Sequence, residues 1–336
     1  MPLIPSDLHV VAGYSNHRRY AVRPRLLNLW LEYVLDCGVS LTIVQHTLGE
    51  RAPDLNPETN PRLRGVNLIN LRGAAEYETW LQYALYNVGF SRLPDTAKYI
   101  CWQDTDVQHV RSDWAMETLH MLQHHRLGQT WASAVDLDPK QNAIRNEWGN
   151  WVDRSFCAAW RAGDIEAAPS KAMLQKGSTA DWRSHTGYSW AIRRDTLRGI
   201  GRLLDWLVAG SGDYHMMMGF AGRLRDMVKI DLEKGRDKAY SPSYYRRLLE
   251  FADRCDEHVK QDIGVVDGLI LHPWHGSKKN RFYGAREAIL TEAHFDPDRD
   301  ITYDASGLPA LAGDNRALRD GLRRYNTMRN EDSIDD

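Results

Sequence analysis

Short apolar runs alternate with longer stretches of helical period over the first 140 residues of the chain. The runs HVVAGY (9–14), SLTIVQH (40–46), VNLINL (66–71), KYICWQ (98–103) and TWASAV (130–135) have the length and the β-branched or aromatic content of strands. Apolar positions at three- and four-residue spacing between them predict helices near 24–36, 75–89 and 112–126, with Ser112 as the N-cap of the third. Strands alternating with helices predict an α/β fold with a mostly parallel central sheet flanked by helices.

The alternation fades between 140 and 186, where Trp148, Trp151, Trp160 and Trp182 stand in loop-like sequence, and an irregular insertion is expected there. It returns with GYSWAIRR (187–194) as a strand, followed by a helix to about 208, and GSGDYHMMMGFAGRL (210–224) reads as a Gly-rich turn entering a helix. VVDGLILH (265–272) is the last strand expected, leading into HPWHGSKKNRFYGAR. One domain is expected over 1–290, with 291–336 a polar, partly mobile extension.

Composition narrows the class. The chain has 336 residues, 43% hydrophobic and 26% charged, enough for a sizeable core. A net charge of −2 advertises no nucleic-acid or membrane surface. Cys37, Cys101, Cys157 and Cys255 lie far apart without C-x-x-C spacing, so neither a disulfide framework nor a zinc knuckle is expected. No apolar run approaches the ~20 residues of a spanning helix and the N-terminus carries no basic leader, so a cytoplasmic chain without a membrane anchor is expected.

Candidate chemistry begins at Asp104-Thr105-Asp106, where KYICWQ ends. Ligands of open α/β sheets sit beyond the carboxyl ends of the strands. Carboxylates at i and i+2 of an extended segment point the same way, and hard oxygen ligands suit Mg²⁺ or Mn²⁺, which bind phosphate oxygens in turn. The competing reading of the pair is a solvated turn.

The order of an apolar strand, this D-x-D, GYSWAIRRDTLRGIG, a Gly-rich turn carrying an acid and a late His resembles the GT-A fold, metal-dependent glycosyltransferases, with a galactosyltransferase-like C-terminal region. The resemblance implies an enzyme of hexosyltransferase type that moves a sugar from a nucleotide-diphosphate sugar, a UDP-sugar above all, to an acceptor hydroxyl; a base on the face opposite the leaving group gives inversion, and retention stays open because nothing in the sequence fixes which face the acceptor uses. It places Mn²⁺, or Mg²⁺, on Asp104, Asp106 and His275, with Asp106 the more direct ligand and His272 the competitor of His275. An imidazole ligand favours manganese. Asp213 is implied as the general base, although the paired acids of the family are reduced here to GSGDY; Asp213 also suits a helix N-cap. Lys278, Lys279, Asn280 and Arg281 are implied at the diphosphate, Tyr14, Arg18 and Arg72 at the nucleotide, and Tyr188 and Trp190 around the donor sugar. His120 and His124, at i and i+4, could also clamp a metal, but without a third ligand they read as a solvated face.

The acceptor is left open among DNA, glycan and protein. The four tryptophans of the insertion suit stacking on a sugar or an extruded base, and the clusters HRRYAVRPR, YYRRL and KKNR would suit hydroxymethylated pyrimidine in viral DNA. Two alternatives stay in view. A nucleotidyltransferase shares such a sheet but carries a Gly-rich basic signature after its first strand, where this chain has only Gly13. A sugar- or nucleic-acid-binding protein would not need the acid pair.

Overall fold

The computed structural model describes residues 2–74, 78–146, 149–164, 184–233 and 240–334, leaving aside the side chains of Lys278 and of 283–285. The first half contains β1 (Leu8–Ser15), α1 (Val22–Asp36), β2 (Ser40–Leu48), β3 (Asn67–Gly73), α2 (Gln82–Ser91), β4 (Tyr99–Gln103), β5 (Gln108–His109), α3 (Trp114–His124), β6 (Leu127–Gln129) and β7 (Ser133–Asp136). Next come β8 (Asp153–Ser155), α4 (Phe156–Arg161), β9 (Ser184–His185), β10 (Ser189–Arg193), α5 (Arg194–Ile200), α6 (Gly212–Phe220), α7 (Leu224–Glu233) and α8 (Pro242–His258). The C-terminal part holds β11 (Ile263–Val265), β12 (Leu269–His272), α9 (Tyr283–Glu292), β13 (Ile301–Tyr303), β14 (Pro309–Leu311) and α10 (Arg316–Met328).

Seven strands form the central sheet in the order β11-β6-β10-β4-β1-β2-β3. All its pairs are parallel except those that β10 makes with β4 and β6. Side chains alternate between two buried faces, which is why these strands read as nearly unbroken apolar runs. Val10, Ala12, Cys101 and Ala191 pack with Trp30 of α1 and Leu119 of α3 on one face. Val11, Ile100, Trp102 and Ile192 pack with Tyr86 of α2 and Phe251 of α8 on the other. The α/β class with a mostly parallel central sheet flanked by helices is thus as expected.

Two apolar runs taken as single strands end in a second sheet. TWASAV is not one strand: β6 of the central sheet closes at Gln129 ahead of it, and the chain passes the fully buried Trp131 before β7 begins at Ser133 in the second sheet. VVDGLILH breaks at Asp267-Gly268, where the Gly268 carbonyl accepts from the amides of Ala132 and Ser133, and β11 and β12 part in the same way. The second sheet runs β5-β12-β7-β8-β9. Ser112 does not cap α3, which begins at Trp114 behind Asp113, whose carboxylate is taken by Arg111 at 2.7 Å. The helix expected up to 208 stops at Ile200, followed by turns.

The polar C-terminal extension, expected to be partly mobile, is folded through Ser333. α10 buries Leu318, Leu322 and Tyr325, and Glu331 beyond it is 1% exposed. Asp332 accepts from the amides of Ala21 and Val22 at 2.9 Å each, so α1 receives its N-terminal cap from a residue some 310 positions away.

Candidate active site

A cleft of about 540 Å³ opens beyond the carboxyl ends of β1, β2 and β4, bounded by Tyr14, Leu48, Asp106, Asp213 and His275. Parallel strands end on the same side, so the loops that follow them converge there.

β4 ends at Gln103 and the chain turns at once into β5, so Asp104 and Asp106 stand in a turn rather than in an extended segment. Their carboxylates therefore part. Asp104 Oδ1 accepts from Gln82 and, at 2.8 Å, from the Tyr86 hydroxyl, both on α2. Its amide donates to the Tyr188 carbonyl at 2.8 Å. Burial and the neighbouring Asp106 carboxylate push the Asp104 carboxyl well above the usual carboxylate range.

Asp106 faces the other way, with Oδ2 3.4 Å from His275 Nε2, and His275 Nε2 lies 3.0 Å from His272 Nε2. One ligand atom from each of Asp106, His272 and His275 lies within 4.8 Å of the others. Of the expected metal set, Asp106 and His275 are brought together, His272 completes the group, and Asp104 is held on the side of α2. Burial and the charges of Arg281, His272, Arg329 and Arg23 hold His275 well below its usual pKa, so it is a neutral imidazole with a lone pair to give. A carboxylate and two imidazoles with contacts of 3.4 and 3.0 Å suit a divalent ion, since ligand bonds of about 2.0 to 2.3 Å to one centre leave neighbouring donors about 3 to 4 Å apart.

Also lining the cleft, α6 carries Asp213 in its first turn. Its N-cap position is Ser211, in the left-handed conformation at φ 63°, so the capping role foreseen for Asp213 is not the one it fills. Asp213 Oδ2 instead accepts from the Thr186 hydroxyl at 2.6 Å. Tyr188, at φ 71°, stacks on His185 with ring centroids 3.8 Å apart. Ser211 and Tyr188, both lining the cleft at positive φ, mark backbone strain concentrated at one site.

The remaining expected residues divide. Tyr188 and Trp190 border the cleft, although Trp190 is 4% exposed and stacks on Trp102. Tyr14 borders it too, with its hydroxyl given to Asp54 at 2.6 Å. Arg18 is exposed at the mouth. Arg72 stands outside, its guanidinium donating to the carbonyls of Gly49 and Arg51 at 2.7 and 3.1 Å. Arg281 is buried on the cleft wall, Lys279 is exposed away from it, and Asn280 donates to Ser333 at 3.1 Å. The Lys278 side chain, Trp148 and Trp182 lie outside the described residues. Trp151 is exposed beneath Arg145, Trp160 packs on Phe156, and His120 and His124 occupy the solvated face of α3.

Several site residues carried no signal in the sequence: Gln82 and Tyr86 behind Asp104, Thr186 behind Asp213, and Arg329 and Glu331, which pair with Arg23 of the HRRYAVRPR cluster. Glu331 accepts from Arg23 at 2.5 and 2.7 Å and from Arg329 at 2.6 Å. Burial pushes Glu331 up, but the two guanidiniums more than offset this and hold its carboxyl down to about 2. The segment behind Arg329 is locked to the His275 loop. Gly276 sits at φ 89°, and a Cβ on it would come within 2.6 Å of the Asn330 carbonyl oxygen. Trp274 donates to the Ser333 carbonyl at 2.7 Å.

No protein-family model and no curated protein matches the chain. Among solved structures it is similar to a 4-diphosphocytidyl-2C-methyl-D-erythritol synthase from Anaerococcus prevotii, with 11% identity over 79% of this chain and 90% of that one, TM-score 0.35. It is also similar to a glucose-1-phosphate thymidylyltransferase from Bacillus anthracis, with 9% identity over 86% and 96%, TM-score 0.37. A Drosophila beta-1,4-galactosyltransferase 7 mutant in complex with manganese, UDP-Gal and xylobiose matches with 11% identity over 65% of this chain and 61% of that one, TM-score 0.29. Among the described residues no helix is long and apolar enough to cross a membrane.

Proposed function

We propose that the chain is a metal-dependent glycosyltransferase that moves a sugar from a nucleotide-diphosphate sugar, a UDP-sugar, to an acceptor hydroxyl with inversion. The observation that carries this reading is that Asp106, His272 and His275 converge in the cleft that Asp213 also lines. Asp106, His272 and His275 would hold the ion. Bound there, a divalent ion supplies Lewis-acid neutralisation of the charge that grows on a departing diphosphate. Two imidazoles in the donor set move the preference from Mg²⁺ toward Mn²⁺.

The chain's own residues account for the rest. Arg281, buried on the cleft wall, adds fixed positive charge at the metal side. The Thr186 hydroxyl fixes Asp213 through Oδ2, leaving Oδ1 to take the proton of the acceptor hydroxyl as its oxygen attacks the anomeric carbon. Attack from the side of Asp213, opposite the leaving diphosphate, inverts that carbon. Tyr188 and Trp190 wall the sugar, Tyr14 and Arg18 the nucleotide. The acceptor is a hydroxyl of a glycan, a protein or DNA.

The test is release of nucleoside diphosphate from a panel of nucleotide sugars with Mn²⁺, Mg²⁺ or EDTA, for the wild type and Asp106→Ala. Metal-dependent hydrolysis of one donor, lost in the variant, is expected. Release of pyrophosphate from a nucleoside triphosphate and a sugar phosphate would move the chain to the nucleotidyltransferases. Neither reaction, with no metal-dependent donor binding, would refute the proposal.

A further inference from the structure

Asp136 lies outside the cleft, at the end of β7, and nothing in the catalytic scheme uses it. It is 5% exposed, and a carboxylate so deeply buried needs a partner to offset its lost hydration. The parallel register of β7 and β12 supplies one, setting Ser133 beside Leu269 and Asp136 beside His272. Neighbours in register share a face of the sheet, and Asp136 Oδ1 lies 2.7 Å from His272 Nδ1. The Leu137 amide donates to the His272 carbonyl at 3.0 Å, which continues the ladder and prevents the pair from slipping. The Tyr188 hydroxyl, 3.3 Å from the same Nδ1, borders the ring on that side.

We propose that Asp136 is a positioning residue of the metal centre, fixing the His272 ring in the tautomer that turns its Nε2 lone pair toward Asp106 and His275. This rests on the metal site proposed above. A carboxylate only accepts, so the proton of a neutral His272 sits on Nδ1. The bare nitrogen is then Nε2, the atom 3.0 Å from His275 Nε2. The second sheet thereby acquires a role: its register delivers an oriented ligand to the cleft built by the first. Outer carboxylates of this kind typically change metal affinity by about 10- to 100-fold when removed.

The experiment measures Mn²⁺ binding by the full chain from the electron paramagnetic resonance signal of free Mn²⁺, for wild type, Asp136→Ala and Asp136→Asn. The expected result is a loss of affinity of about 10- to 100-fold for Asp136→Ala and a smaller loss for Asp136→Asn, which keeps an acceptor oxygen. In the metal-free wild type, ¹⁵N shifts of the ring that disappears in His272→Gln should show Nδ1 protonated and Nε2 bare, and Asp136→Ala should abolish that preference. Wild-type Mn²⁺ affinity in both variants, or a His272 ring protonated at Nε2, would overturn the proposal while leaving the metal site standing. If Asp136→Ala does not fold, a wild-type His272 ring protonated at Nε2 overturns it alone. A wild-type chain that binds no Mn²⁺ would overturn both.

Discussion

The two ends of the cleft are built differently. At the end proposed for the metal, partners hold the groups in place: Asp136 behind His272, and Arg23 and Arg329 around Glu331. At the end proposed for the nucleotide, Tyr14 is held by Asp54, but Arg18 is exposed and Arg72 is spent on backbone carbonyls outside the cleft. Buried, partnered groups are fixed before a ligand arrives, and fixed charges act on a reaction without first having to reorganise. The contrast teaches where substitutions should change chemistry and where they should change only binding or stability.

The largest effect should follow loss of a metal donor. Asp106→Ala is expected to lower metal-supported turnover by about 10³-fold or more, the several kcal/mol that a Lewis acid contributes. Excess Mn²⁺ should not restore it in a steady-state assay, and full activity of the variant would place the ion elsewhere. Asp213→Asn comes next. Its kcat should fall by about 10²- to 10⁴-fold with donor affinity unchanged, because a general base acts on the acceptor. Thr186→Val should lower kcat by roughly tenfold, the worth of one hydrogen bond to a charged group.

Glu331→Gln tests stability rather than chemistry. Removing the charge leaves two guanidiniums, of which Arg329 is 8% exposed, without their counter-ion, at a cost of about 3 kcal/mol. The pH dependence has a definite sign. The folded-state value of about 2 is depressed from 4.5, so the contribution is present in full above 4.5 and is lost as pH falls toward 2. Urea midpoints of wild type and variant should therefore differ most at pH 7 and converge toward pH 2.

What the sequence revealed follows the range of the interactions. Asp104 and Asp106 were legible because two acids closing an apolar run form a local pattern, and His272 and His275 stood out just past another. The central strands were legible because both faces are apolar. The passage of the chain from one sheet to the other was not, since it turns at Trp131 and Gly268 on contacts with distant chain. Asp136 looked like any acid after a strand until β12 was set beside it. The tail was the hardest to read: its polar composition suggests mobility, yet Glu331 pairs with an arginine 308 residues away. A turn at Asp104 was one of the two readings of the acid pair; the extended one does not hold because the strand stops at Gln103, where period-two reasoning presumes that it continues.

The smallest effects sharpen the comparison most, because the two arginines of the nucleotide end should behave in opposite ways. Arg72, near the end of β3, donates to two carbonyls just past the end of β2, so Arg72→Ala should lower stability by about 1 kcal/mol per bond lost and leave the KM for donor unchanged. Arg18, exposed at the mouth, contributes little to folding, and Arg18→Ala should leave the Tm unchanged. A solvated cation facing a phosphate is worth up to about 1 kcal/mol, so the KM for donor should rise by no more than about fivefold, and less at high salt. Thermal melts and donor titrations on the two variants give four numbers. If Arg72→Ala raised KM at constant Tm, the nucleotide would have to reach past β3, and the boundary drawn here between the built and the open end of the cleft would move with it.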